Sequence, residues 1–223
     1  MPALTDRPAA VRTPRTALLF AVLVVVVYSN PLVSRRNFAG RDLVPYNLPM
    51  EKAVHDAYSR GRLPLWNPNV SGGRPLLPNP NAGALYPVRP ALSPLPFPVA
   101  MRLFPVFHWI ASGIGTILVL RSIGVSQAAA WVGAATYVFS GVSVSEVFFP
   151  HIQPGTALIP WILWAVIPFR QTGVRLVLLG LLLGLGILGG DVFTLGMAIL
   201  AAVVWIVVEG PGSERGGRIA LLA

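Results

Sequence analysis

Proton-transfer chemistry has few places to reside in this 223-residue chain, which holds only eight acidic residues and three histidines. Four of these groups stand at the ends of apolar runs: Asp42, Glu146, His151 and Asp191. A carboxylate held beside a hydroxyl suffices as a general base, and carboxylates close to a membrane are costly enough to mark function. Each position also has a plainer role. Glu146 and His151 fit solvated groups at a helix end, and Asp191, directly after Gly189 and Gly190, fits the N-cap of the next helix. His108, inside an apolar run, fits hydrogen-bonded packing, while His55 and Asp56 fit a solvated helix face. Asp42, beside Arg41 and just before a helical stretch, is the strongest candidate. No HxxxH or HExxH spacing occurs, so a dedicated zinc site is not expected. A divalent cation shared by Asp42 and a second carboxylate, with substrate phosphate completing the shell, is chemically open. Walker and dinucleotide-binding glycine patterns are absent. Gly180, Gly184 and Gly186 lie instead within an apolar run, where they permit close helix approach.

The elements that must position these groups belong to a membrane protein. Hydrophobic residues make up 54% of the chain and charged residues only 11%, with a mean hydropathy of +0.67. Soluble domains carry about a quarter charged residues, so a water-filled surroundings is excluded for most of this surface. Cysteine is absent, which removes disulfides and thiolate metal sites. Sixteen of the seventeen basic residues are Arg, and the net charge is +9. Because the Arg residues flank apolar runs, membrane orientation and anionic lipid headgroups account for them. No nucleic-acid-binding signature is present, so nucleic acid is not an expected partner.

The pattern predicts an all-α polytopic transmembrane helix bundle of about six spans, at 17–33, 98–120, 128–149, 156–169, 176–188 and 192–208. Residues 1–16 read as a disordered cytoplasmic leader and 17–208 as the transmembrane domain. The first run is read as a retained anchor, since small-x-small cleavage residues do not follow it. The tail 209–223 is polar and turns apolar at Ile219, like the start of a truncated seventh span, so the chain is expected to be an N-terminal fragment. The short connections 121–127 and 170–175 carry Arg, whereas 150–155 and 189–191 carry no Lys or Arg. This charge bias puts the N-terminus in the cytoplasm and Asp42, Glu146, His151 and Asp191 together on the outer face.

The outer loop 34–97 contains the one long polar interval. Met50, Ala53, Val54, Ala57 and Tyr58 form an apolar stripe at helical spacing, with Glu51, Lys52, His55, Asp56 and Ser59 kept off it. Pro49 is tolerated in the first turn and Gly61 stops this amphipathic surface helix. Beyond it, Pro64, Pro68, Pro75, Pro78, Pro80 and Pro87 predict a stiff, irregular path.

The segments GRDLVPYNLP, GRLPLWNPNVSGGRPLLPNPNAGALYP and HIQPGTALIPWILW resemble the bacterial YfhO family, multispanning proteins assigned to the GT-C glycosyltransferase superfamily. The resemblance covers about 38–202 and is carried by the compound pattern rather than by any one piece. Where relatives often continue Gly-His/Asp-Pro-Gln, this chain reads GGDVFT, so Asp191 matches and the Pro-Gln part does not, which weakens any role for Val192 and Phe193. The resemblance implies transfer of a sugar from a polyprenyl-phosphate donor to an outer-surface acceptor at the inner membrane, with Asp42 as catalytic base. The leaving phosphate needs cations beside it, and Arg41, Arg60, Arg62 and Arg74 are available. Glu146, His151 and Asp191 join them as expected substrate-binding groups, and Trp66 either stacks on a sugar or anchors the membrane interface. The alternative is a transporter or lipid-handling protein without transferase chemistry, motivated by proline-broken spans and by Arg102 and His108 within one of them. An anchor or scaffold is a third reading.

Overall fold

The longest apolar run folds into the longest helix, and the rest of the protein is arranged around it. The computed structural model describes residues 13–34, 36–167 and 173–209; most of the expected leader, Arg170 and the tail from 210 onward lie outside them. The fold is mostly helical. Helix α5, Phe97–Ser122, follows Pro96 and has Pro98 in its first turn, where the missing N–H costs nothing. On one side it packs against α6, Gln127–Val138, whose N-cap Ser126 accepts from the amide of Ala129. On the other it packs against α8, Gln153–Val166, which in turn carries α9, Gly173–Gly189, and α10, Val192–Glu209. Helix α1, Thr13–Val27, lies along α5, where the ring of Phe20 fills the notch left by Gly113. Phe20, Val24, Trp109, Ala130 and Ala134 form one core, and Ile162, Ala165, Leu182, Leu195 and Ala198 form a second.

Two helical runs among the described residues are long and apolar enough to cross a membrane: Phe97–Ser122 and Gln127–Phe148. Arg15–Val27, Gly173–Gly189 and Val192–Val208 are apolar and shorter. Two expected runs are broken. The first bends at Tyr28 before the short helix α2, Ser29–Val33. In the run expected at 128–149, α6 ends at Val138 and Ser140 starts a new turn, its hydroxyl accepting from the amide of Ser143 at 3.2 Å. That gives α7, Gly141–Ser145, and a 3₁₀ turn, Glu146–Phe148. The expected close approach at Gly180 and Gly184 is not found, since both face open space. It occurs at Gly186, where an added Cβ would stand 2.7 Å from Leu195, and at Gly189, 2.7 Å from Pro154.

The polar interval forms a roof. Helix α3, Asn47–Ser59, buries Met50 and Val54 against Leu76, Ala82 and Ala84, and ends where Gly61 takes φ +66°. Two expectations for its outer face fail. Glu51 is only 5% exposed, because Arg89 of α4, Val88–Leu92, folds over it and pairs with it. His55 is half-buried, with Nε2 2.9 Å from the carbonyl of Leu95. The proline-rich stretch is also more regular than expected. Trp66–Asn67 (β1) pairs antiparallel with Arg74–Pro75 (β2), and a 3₁₀ turn follows at Pro80–Ala82.

The roof touches the bundle at glycines. A Cβ on Gly83 would stand 2.9 Å from the carbonyl of Gly189, and one on Gly190, at φ +103°, would strike the carbonyl of Pro80. Gly190→Ala therefore meets both backbone strain and a rigid neighbour. It is expected to destabilise the protein by about 2 kcal/mol, read as a lower Tm in detergent, whereas Gly180→Ala, inside α9 with no atom near an added Cβ, does not lower Tm.

Candidate functional site

Two of the acidic groups, Glu146 and Asp191, are brought together by the start of α8. Asp191 caps α10 as expected: its Oδ1 accepts from the amide of Phe193 at 3.0 Å and its other oxygen accepts from the hydroxyl of Thr194. Thr194 lies against Gly155. The next residue, Thr156, donates to Glu146 Oε1 at 2.7 Å. Glu146 and Asp191, each 8% exposed, thus sit close enough for the Asp191 charge to act on Glu146. Glu146 is buried rather than solvated.

Glu146 borders two spaces. One is a cleft of about 390 Å³ lined by Tyr137, Ser143, Thr156, Phe193 and Met197 among others, polar at Glu146 and apolar along most of its wall. The other is a water-sized cavity of about 10 Å³ that reaches Ser112, Gln153 and His108. His108 accepts at Nε2 from the Tyr86 hydroxyl (3.0 Å) and donates from Nδ1 to the carbonyl of Phe104 (2.7 Å), the assignment that satisfies both contacts. This is hydrogen-bonded packing. Arg102 likewise donates to the carbonyls of Pro98 and Pro31 at 3.0 and 3.4 Å.

His151 lies in the turn before α8, half-buried, with Nδ1 lacking a partner among the described residues. Burial holds its pKa below the ordinary imidazole value, Asp191 opposes this, and Arg89 adds to it. The unfolded chain therefore binds a proton that the folded state resists once pH falls below about 6.5. The His151 contribution to stability is expected to decline from neutral to mildly acidic pH, so the difference between wild type and His151→Gln in denaturant unfolding should change in that direction across the range.

Asp42 and Arg41 are exposed, in a 3₁₀ turn Arg41–Leu43. Leu43 points inward while the Asp42 carboxylate and the Arg41 guanidinium have no hydrogen bond or ion pair among the described residues. This turn packs against the Glu146–Phe148 turn, and a Cβ on Gly40 would stand 3.2 Å from the Phe148 ring. Asn47 adds a hydrogen bond to the carbonyl of Phe148 at 2.9 Å. Arg60, Arg62, Arg74 and Trp66 are elsewhere, exposed on and before the β1–β2 hairpin, and none of them lines the Glu146 cleft.

The pair that reading by pattern missed is Glu51–Arg89. Both are buried, and Arg89 also donates from Nε to the carbonyl of Gly83 at 2.9 Å. The nearest signal in the sequence was an arginine between prolines with no acidic neighbour. Among the described residues no three His, Asp or Glu side chains converge as metal ligands. Compared with known proteins, the chain matches no protein-family profile, no curated protein and no solved structure.

Proposed function

We propose that the protein is a polytopic membrane enzyme of the GT-C kind, resembling the YfhO family, that transfers a sugar from a polyprenyl-phosphate donor to an acceptor at the outer surface. The bilayer reading is supported by wide apolar exposure: Leu18 and Val26 on α1, Val174 and Leu181 on α9, and Phe193 and Val207 on α10 all face outward. Water-soluble monomers rarely expose so continuous an apolar surface. Helices too short to count alone as spans complete a bundle of about six where α2 extends α1 and the bilayer thins around α8, α9 and α10.

The observation that carries the catalytic reading is the Arg41–Asp42 turn. Arg41 holds φ +44°, a left-handed conformation that a non-glycine residue adopts at a cost of order 1–3 kcal/mol. Strain of this kind, at an exposed turn whose consecutive carboxylate and guanidinium have no partner among the described residues, suits a reacting pair. Asp42 takes the proton of the acceptor hydroxyl, and Arg41 answers the charge that develops on the departing phosphate. The same turn rests on the segment that carries Glu146, whose mostly apolar cleft suits an isoprenoid chain. Of the two motives for the transporter reading, Arg102 and His108 are both partnered within the fold, while the proline-interrupted helices α5 and α8 remain.

The test is transfer of labelled sugar from a polyprenyl-phosphate donor by the purified protein in sealed proteoliposomes. A covalent product is the expected result. Donor movement across the membrane with no product would overturn the proposal in favour of transport.

A further inference from the structure

We propose that residues 60–75 form a membrane-surface anchor that seats the β1–β2 hairpin among anionic lipid headgroups. Leu63, Leu65 and Trp66 are 59%, 57% and 55% exposed, and Val70 is exposed beside them. This apolar stretch is flanked in the chain by Arg60, Arg62 and Arg74, all exposed and without an ion pair or side-chain hydrogen bond among the described residues. The nearest carboxylate, Asp56, is within electrostatic reach of Arg60 and already paired with Lys52, and no further acidic residue occurs in the chain before Glu146. An exposed protein partner would have to supply acidic groups and an apolar socket together. A lipid surface supplies both in the right order, phosphates outside and acyl chains beneath, and Trp between them is a favoured interfacial residue.

The tip is also stiff. Trp66 pairs with Pro75, the amide of Leu76 donates to Leu65 at 2.8 Å, and that of Gly73 to Val70 at 2.8 Å. The indole lies flush on Gly73, where a Cβ would stand 2.6 Å from the ring. The turn passes through Ser71, Gly72 and Gly73 at φ +50°, +77° and +112°. Little conformational freedom remains to be lost when the tip seats. At its base Leu76 is buried in the α3 core, so a seated tip fixes α3 and the roof relative to the bilayer. The inference rests on the membrane reading but not on sugar transfer.

The experiment uses the protein in nanodiscs of acyl-brominated lipids, comparing wild type with Trp66→Phe, so that the difference in emission isolates Trp66 from Trp109, Trp131, Trp161, Trp164 and Trp205. The expected result is a Trp66 component that brominated lipid quenches. It should shrink when phosphatidylglycerol is replaced by phosphatidylcholine. Each of Arg60→Gln, Arg62→Gln and Arg74→Gln should lower the seated fraction relative to the unseated by roughly five-fold. A Trp66 component untouched by brominated lipid and quenched by aqueous iodide, with the other tryptophans still lipid-quenched, overturns the anchor alone and leaves the tip as a site for a soluble partner. If no tryptophan is lipid-quenched, the membrane reading falls and the anchor with it.

Discussion

Asp42→Asn is expected to lower sugar transfer by about 10²- to 10⁴-fold with no change in Tm. The two readouts separate because of where the side chain sits. Asp42 is exposed and its carboxylate has no partner among the described residues, so the amide costs no folding energy and a lost rate is chemical. Glu146→Gln is the necessary comparison. That side chain is buried and accepts from Thr156, and its amide keeps the size while removing the carboxyl group that the Asp191 charge acts on. With Asp42 as base, Glu146→Gln raises KM for the lipid donor more than it lowers kcat, because the cleft it borders binds rather than reacts. The reverse outcome, full turnover in Asp42→Asn and none in Glu146→Gln, moves the base to the cleft and leaves the Arg41–Asp42 turn without a chemical role. Initial rates over a range of donor concentration decide between the two.

How much of this was legible in the sequence depended on the distance over which each feature is determined. Helix α3 was legible because its stripe and its stop at Gly61 are written in neighbouring residues. Asp191 as a cap was legible for the same reason: the acceptor, the amide it serves and the glycines before it are consecutive. The break at Ser140 was written locally too, in a Ser-Gly pair followed by Ser143, but apolar averaging over a whole run hides a single capped turn. Glycine spacing pointed to close approach at Gly180, Gly184 and Gly186, but of these only Gly186 makes it, since that depends on where Leu195 arrives from another helix. Glu51 was read onto the water-facing side because only Arg89, 38 residues later, reveals that this side is covered. The gathering of Asp42, Glu146, His151 and Asp191 at one end followed from charge bias in the loops. Their separation into an exposed turn and a buried cleft followed from packing alone.

Breaking the Glu51–Arg89 pair is expected to cost more stability than any other single change considered. Both side chains are almost fully enclosed, at 5% and 6% exposure, and Arg89 also lies 5.0 Å from the centre of the Phe104 ring. Burial pulls the Arg89 pKa down to about 9, so it remains a cation at neutral pH and needs its counter-charge. Glu51→Leu or Arg89→Leu alone strands a buried charge, at a cost of about 3–5 kcal/mol. The double variant strands none and is expected to recover most of that loss, giving a large coupling in a double-mutant cycle measured by denaturant unfolding. The recovery cannot be complete. Arg89 Nε also holds the carbonyl of Gly83, and Gly83 abuts Gly189, so any variant lacking the guanidinium loosens the roof where it meets α9. Sugar transfer should therefore stay depressed in the double variant even as stability returns. Single variants that cost less than 1 kcal/mol would instead mean that water reaches the pair and that the roof stands open over the bundle.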